Sequence, residues 1–295
     1  MNSEGLAWQS KLVLLLVLPA TATDVALKTQ WWAVRQPNVA IWTLGLSMLL
    51  GLVTWRLRAA TPAAAATGTA ITASLMYSTL LFPYGPWHSG LIPVLAVSLL
   101  AFAATRMGRE KKERLGRAEG RQGRAAAQVA ANLGIAALVS SEFAQSWFAD
   151  KGWFAHAATA APPLLVAGLA AMAEAAADTV SSEIGQVFGG RPRMLTTLRA
   201  VEPGVDGAVS AAGTLTGVTA AAMVAAAGTW ALHGDSKMLA VSCAGGVFGL
   251  VFDSLLGATV ELSGWLNNDA VNFLSTAAAA GFALGVMAVV GVRPG

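Results

Sequence analysis

Five stretches of this chain set polar side chains one helical turn apart. Arg124, Gln128 and Asn132 form one line, and Glu174, Asp178 and Ser182 a second, with Glu183 directly after it. Asp206 and Ser210 form a third, Asp253, Gly257 and Glu261 a fourth, and Asn268, Asn272 and Thr276 a fifth. Residues four apart share a helix face, so each line presents its donors and acceptors in one direction. The carboxylates Glu174, Asp178, Glu183, Asp206 and Asp253 and the amides Asn132, Asn268 and Asn272 are oxygen ligands that suit a hard cation such as magnesium. Magnesium is ordinarily held by one or two carboxylates, with substrate phosphates completing its shell. Arg191, Arg193 and Arg199 and the basic run 106–124 suit phosphate oxygens, and Thr196 and Thr197 add hydroxyls. Magnesium-dependent phosphoryl transfer is the simplest chemistry compatible with this set.

The elements that must carry these lines are membrane helices. Of the 295 residues 55% are hydrophobic and 12% charged, with mean hydropathy +0.59, against about 25% charged in ordinary soluble domains. The chain has too little polar surface for a soluble ball. Nine apolar runs, 11–27, 38–55, 63–82, 90–106, 125–143, 160–182, 207–230, 238–260 and 270–292, approach the length of about 20 residues that a transmembrane helix needs. They are continuous rather than alternating, which excludes a β-barrel. The expected fold is an all-α polytopic bundle of eight or nine spans. Gly213-x-x-x-Gly217, Gly245-x-x-x-Gly249 and Gly281-x-x-x-Gly285 suit close helix packing. Residues 1–37 read as an N-terminal extension carrying an extra span or a signal-like segment, and 38–295 as a single integral membrane domain.

Charge sets the orientation. Eight of the 19 Lys and Arg lie between Arg106 and Arg124, and such clusters mark cytoplasmic loops. The basic loop 106–124 and a second loop, 183–206, are thereby expected in the cytoplasm, with the chain in the inner (cytoplasmic) membrane. All five polar lines then fall at the cytoplasmic ends of their helices, where the N-termini at Arg124, Asp206 and Asn268 offer amide donors to anions. Taken singly, each feature has a plainer reading. The basic run suits a topogenic or headgroup-binding loop, Asp206 a helix N-cap, Asn272 an interhelical hydrogen bond, and Trp31, Trp32, Trp87, Trp147 and Trp153 interface anchors. Their coincidence at one membrane face argues for a site.

Several chemistries are excluded. Cys243 is the only cysteine, so neither an internal disulfide nor a Cys-based metal centre can form. His88, His156 and His233 all fall in expected outer loops, remote from the polar lines. No P-loop, dinucleotide fingerprint or nucleophile elbow occurs, and nothing points to nucleic acid.

From Asp178-Thr179-Val180-Ser181-Ser182-Glu183-Ile184-Gly185 the chain resembles an integral membrane family known as domain of unknown function ninety-two. That family includes animal transmembrane protein 19 and the plant and cyanobacterial phytyl-phosphate kinases. The resemblance begins near residue 41. It extends to Gly108–Gly116, Ala118–Arg124, Gln128–Asn132, Pro192-Arg193 with Thr196-Thr197, Pro203–Ser210, Asp253–Thr259 and Asn268–Leu274. One departure is Ala208, where the family usually has a second glycine.

The resemblance implies a kinase that converts an isoprenoid monophosphate, phytyl or another prenyl phosphate, to the diphosphate, with CTP or another nucleoside triphosphate as donor and Mg2+ as cofactor. On that reading Asp178, Glu183 and Asp253 hold the metal. Lys111, Lys112, Arg114, Arg124 and Arg193 bind phosphates, and Asn132, Thr196, Thr197, Ser210 and Asn272 orient oxygens. Gln128, Glu174, Thr179, Ser182, Asp206, Gly207 and Asn268 complete the binding set. The expected partners are the lipid phosphate, the nucleotide, bilayer lipids and a second copy in a homo-oligomer. Two other readings use the same parts: a transporter with the intramembrane acids as an ion path, and a lipid-phosphate nucleotidyltransferase.

Overall fold

A computed structural model describes residues 7–114, 123–151 and 163–291. The chain folds as an all-α membrane bundle: α1 (Ala7–Arg35), α2 (Pro37–Arg56), α3 (Pro62–Ser78), α4 (Leu91–Arg106), the short α5 (Arg109–Arg114), α6 (Ala126–Ser140), α7 (Glu142–Asp150), α8 (Pro163–Phe188), α9 (Ala211–Ala231), α10 (Ser236–Leu256) and α11 (Asn268–Gly291). A two-residue antiparallel pair, β1 (Arg193–Met194) with β2 (Ala208–Val209), sits in the loop between α8 and α9.

The long central helix α8 touches α4, α6, α9, α10 and α11. In its most apolar stretch 89% of residues are buried, against 17% for α1 and 28% for α2, which lie at the periphery. The difference follows from side-chain size. From Ala167 to Ala177 α8 is nearly all alanine and glycine, so neighbouring backbones approach closely. Gly213 and Gly217 of α9 would set a Cβ within 2.9 Å of the Ser181 and Ala177 carbonyl oxygens, and a Cβ on Gly246 of α10 would meet that of Ala173 at 2.8 Å. At Gly281 and Gly285 a Cβ would meet nothing within 4 Å, so this third spacing packs against no described residue. The outer helices expose Leu12, Leu15, Leu16, Met48 and Leu49, as lipid-facing surfaces do.

Six helices, among them α10 together with the turn that follows it, are long and apolar enough to cross a membrane, or seven if the bent pair α6–α7 is one span. Nine runs were expected. Two of them became α3 and α4, with 17 and 16 residues, about 24–26 Å of helix against a hydrocarbon core of about 30 Å. The run 125–143 is broken at Ser141, whose hydroxyl accepts from Ala144 N and starts α7 at 50° to α6. In the other direction, α8 continues to Phe188, so the expected loop 183–206 begins at 189.

Among the described residues, the N-termini of α3, α6, α9 and α11 and the C-termini of α2, α4, α8 and α10 gather at one end. The N-terminus of α1 joins them: Gln9 Nε2 donates to Trp265 O at 2.9 Å, and Ser10 Oγ donates to Asp269 Oδ2 at 2.6 Å. Exposed tryptophans mark both ends, with Trp55 and Trp265 at this one and Trp31, Trp87, Trp147 and Trp230 at the other, the pattern of two interfacial belts.

Candidate functional site

At the end where those termini gather, α6, α8, α10, α11 and the loop 189–210 enclose a cavity of about 360 Å3. Its wall includes Arg124, Gln128 and Asn132 at the start of α6 and Asp178, Thr179, Ser182 and Glu183 on α8. Asp206, Gly207 and Ser210 come from the loop, Asp253 from α10, and Asn268 and Asn272 from α11. All five polar lines therefore reach one chamber.

Local structure explains how each group arrives. Ser210 caps α9, accepting from Gly213 N at 3.1 Å, which frees Asp206 from the capping role and leaves it on the cavity wall. Gly207 has φ +73° and lies so close to Ala258 that a Cβ would strike its backbone, and only glycine meets both demands cheaply. The loop is thereby seated directly on the turn that follows α10. That turn, Gly257–Glu261, is π-helical, with Leu262 N donating to Gly257 O at 3.1 Å. Such turns recur at functional sites. Here it turns Glu261 into the cavity.

Arg124 is fixed by backbone rather than by helix. Its N–H donates to Ala59 O and its carbonyl accepts from Thr61 N, both at 3.0 Å, and its Nη2 donates to Thr179 Oγ1 at 3.3 Å. Gly123, at φ +79°, abuts the Ala59 backbone where a side chain would collide. Gln128 Oε1 accepts from Ala125 N at 2.8 Å, capping α6, and Asn132 Nδ2 donates to Gln128 O at 2.8 Å.

The electrostatics are those of an acidic cluster with a cation beside it. Asp178 interacts directly with Asp253, and has Arg124 and Glu183 as charged neighbours. Asp253 also feels the charges of Glu174 and Glu261, and Glu261 that of Asp206. Glu174 lies deeper, 1% exposed, and does not line the cavity. The Ser275 hydroxyl lies beside Glu174 and Asp253 but donates to Asn272 O at 3.1 Å, which leaves both Glu174 oxygens, Oδ2 of Asp253 and Oε1 of Gln186 without a hydrogen-bond partner. Orphaned buried carboxylate oxygens call for a cation or a proton. Among the described residues no three acidic, His or Cys side chains converge closely enough to enclose a metal. The donor set therefore fits an ion held by two carboxylates and completed by substrate oxygens, and not one caged by protein alone.

The basic and hydroxyl residues expected to bind phosphate are mostly elsewhere. Lys112 is 1% exposed; its Nζ pairs with Glu183 Oε2 at 2.6 Å and donates to Ala104 O at 2.8 Å and Thr105 O at 3.2 Å. All three of its protons are used, so it holds α5 against α4 and α8. Glu183 lines the cavity, but its oxygens take Lys112 and the Thr105 hydroxyl. Lys111 donates to Val187 O, Arg114 is exposed on α5 with its Nε toward Glu110 O, and Arg193 donates to Leu198 O at 2.8 Å. Thr196 and Thr197 lie on the hairpin between β1 and β2 and do not line the cavity. Residues 115–122, with most of the Ala118–Arg124 motif, and Trp153 and His156 lie outside the described residues. His88 and His233 stack with ring centroids 4.2 Å apart at the opposite end. Glu261, Ser181, Gln186 and Ser254 also line the chamber. Of these Glu261 was visible in the Asp253 line, and its role became apparent only with the π turn.

A second, apolar chamber of about 130 Å3 adjoins the first between α2, α3, α4 and α6. Arg124 and Asn132 line both.

The model of the integral membrane protein DUF92 family matches residues 45–280. An uncharacterized membrane protein of Methanocaldococcus jannaschii is 42% identical over 112 residues, 38% of this chain and 47% of that protein, so the match spans about half the relative's length. An uncharacterized membrane protein of Synechocystis is 29% identical over 73% of this chain and 86% of its own. The chloroplastic protein VTE6 of Arabidopsis thaliana is 28% identical over 83% of this chain and 68% of its own. No solved structure gives a significant match. With its motifs gathered on one cavity and the family model matched from 45 to 280, the chain belongs to the integral membrane protein DUF92 family.

Proposed function

We propose that the chain is a membrane kinase that phosphorylates an isoprenoid monophosphate, phytyl or another prenyl phosphate, to the diphosphate, with CTP or another nucleoside triphosphate as donor, at the cytoplasmic face. The observation that carries this reading is the single chamber in which Asp178 and Asp253 meet, with Arg124 beside them. The resemblance to phytyl-phosphate kinases supports the acceptor class, and the likeness to chloroplastic VTE6 extends over most of the chain.

Asp178 and Asp253 would hold Mg2+, with phosphate oxygens completing its shell. The ion would supply neutralisation of phosphate charge. Arg124 orients the acceptor phosphate and balances the charge that builds up on transferring oxygens. Asn132, Asn272, Ser182 and Ser210 offer hydrogen bonds to fix the donor, while the loop 189–210 covers it and limits access of water. An oxygen of the acceptor monophosphate forms a bond to the γ-phosphorus. The bond from that phosphorus to the β–γ bridging oxygen breaks, and the nucleoside diphosphate leaves with the electron pair. The acceptor is already ionised, so no protein base is required.

A second reading, an ion-coupled transporter, draws on the buried Glu174, whose oxygens have no partner. Beyond Glu174 toward the far end, α8 is apolar from Pro163 to Ala173, which favours the kinase. The test is purified protein in lipid nanodiscs with Mg2+, CTP and phytyl or geranylgeranyl phosphate. Prenyl diphosphate is the expected product. A nucleotide-linked lipid would identify a nucleotidyltransferase instead, and acid-dependent ion flux in liposomes without nucleotide turnover a transporter.

A further inference from the structure

The kinase reading leaves open how a membrane-embedded acceptor reaches a polar chamber. The adjoining apolar chamber has the composition for it. Its interior is formed by Leu50 of α2, Ala65 and Gly68 of α3, Val97 and Ala101 of α4 and Leu133 of α6. Four cations also line it: Arg58, Arg106, Arg109 and Arg124.

Each arginine has its own anchor: Arg109 pairs with Glu113 along α5, Nε to Oε1 at 2.9 Å, and the other three are tied to the α2–α3 turn or to α4. Arg106 donates to Leu57 O at 2.6 Å and lies over the Phe102 ring, 4.2 Å from its centroid, a geometry that ties α4 to the end of α2. Arg58 sits in the left-handed region at φ 55°, a conformation that favours glycine. A guanidinium is kept where a smaller residue would be less strained, and strain of this kind concentrates at ligand sites. The bridge between Ala60 and Arg124 then sets that turn beside the wall shared by both chambers.

We infer that the apolar chamber between α2, α3, α4 and α6 is the acceptor's tail site: it takes the first carbons of a single-chain prenyl monophosphate, whose phosphate lies among the four arginines and faces the acids across Arg124 and Asn132. This rests on the kinase reading for the identity of the acceptor. Charge complementarity selects the occupant, since a phosphate joined directly to a single apolar chain fits an apolar interior lined at one side by guanidinium groups. A volume of about 130 Å3 holds only the start of the chain, so the remainder extends between the helices toward the bilayer. A bulk phospholipid, with two chains and a glycerol between chain and phosphate, does not fit this narrow space.

The test uses the full chain in nanodiscs and a geranylgeranyl monophosphate bearing a photoactivatable diazirine near its phosphate, with labelled peptides mapped by mass spectrometry. Label is expected on α2, α3, α4 or α6. Arg58→Gln with Arg106→Gln should reduce labelling by about a hundredfold, the order expected for losing two charge-assisted contacts. Gly68→Leu, which fills the chamber, should raise the KM for geranylgeranyl phosphate and leave the KM for the nucleotide unchanged. Label confined to α1, α9, α10 or α11 overturns the assignment, as does its displacement by an equal amount of phosphatidic acid. Chamber labelling without diphosphate production keeps the tail site and refutes the kinase, so the two failures are distinguishable.

Discussion

Lys112 Nζ lies 2.6 Å from Glu183 Oε2, and the two side chains are only 1% and 16% exposed. The pair locks the short helix α5 to the cavity-bearing end of α8, so a basic residue that sequence places among phosphate ligands is part of the framework instead. Breaking such a buried pair from one side leaves an uncompensated charge, which costs about 3–5 kcal/mol. Lys112→Met alone should therefore lower the apparent thermal midpoint in detergent sharply, and the double variant with Glu183→Gln should recover most of the loss. A single variant as stable as the parent would remove the pair from the framework.

Asp178 and Asp253 face one another in the cavity. Asp178→Asn and Asp253→Asn each keep shape and hydrogen-bonding capacity but lose the charge that a cation requires. Diphosphate formation should fall by at least about a hundredfold, the scale of losing one preorganised electrostatic contact. Thermal midpoints should hold, because removing one acid from a crowded group relieves repulsion. Full activity in both variants would refute the metal assignment.

Glu174 is buried without a hydrogen-bond partner, its Cγ packed against the position where Gly249 lacks a side chain. A buried polar group left without a partner costs about 1–3 kcal/mol, which an apolar residue of similar volume does not incur. Glu174→Met should raise the thermal midpoint and slow phosphoryl transfer, since the acid next to Asp178 and Asp253 is gone. A fall in stability would show that the carboxylate is already satisfied.

Gly207 and Gly257 bring the loop and the π turn into backbone contact, with a Cβ on Gly257 only 2.6 Å from Gly207 N. Gly207→Ala adds steric conflict to a left-handed conformation and should destabilise by about 2–3 kcal/mol. Gly190→Ala meets open space and should cost about 1 kcal/mol, the conformational share alone. Limited proteolysis of the loop, followed by mass, separates the two. Equal sensitivity would mean that the loop does not depend on the π turn.

The site was partly legible in the chain because helix periodicity is local. Four-residue spacing fixes which side chains share a face whatever surrounds the helix, so the lines through Asn132, Asp178, Asp253 and Asn272 survived folding. Arg193 and Thr196 had no such rule. They lie in a hairpin whose direction depends on Gly207 meeting Ala258 and on β1 pairing with β2, Arg193 opposite Val209, contacts that no local spacing rule specifies. Of the nine expected runs, two formed the short helices α3 and α4, and a third is broken at Ser141, where a hydroxyl cap ends one helix and starts another; composition alone does not show where a helix stops.

By itself, then, the sequence determined an all-α membrane bundle and the helix faces on which its acids and amides lie, since hydropathy and a 3.6-residue period require no tertiary contact. Only the tertiary structure decided that these faces share one chamber, that Glu261 enters it, that Lys112 is turned into an ion pair with Glu183, and that Arg124 stands between a polar and an apolar cavity. Those outcomes depend on which backbones can approach one another, and that is set by small residues such as Gly123, Gly207 and Gly213 meeting partners far along the chain.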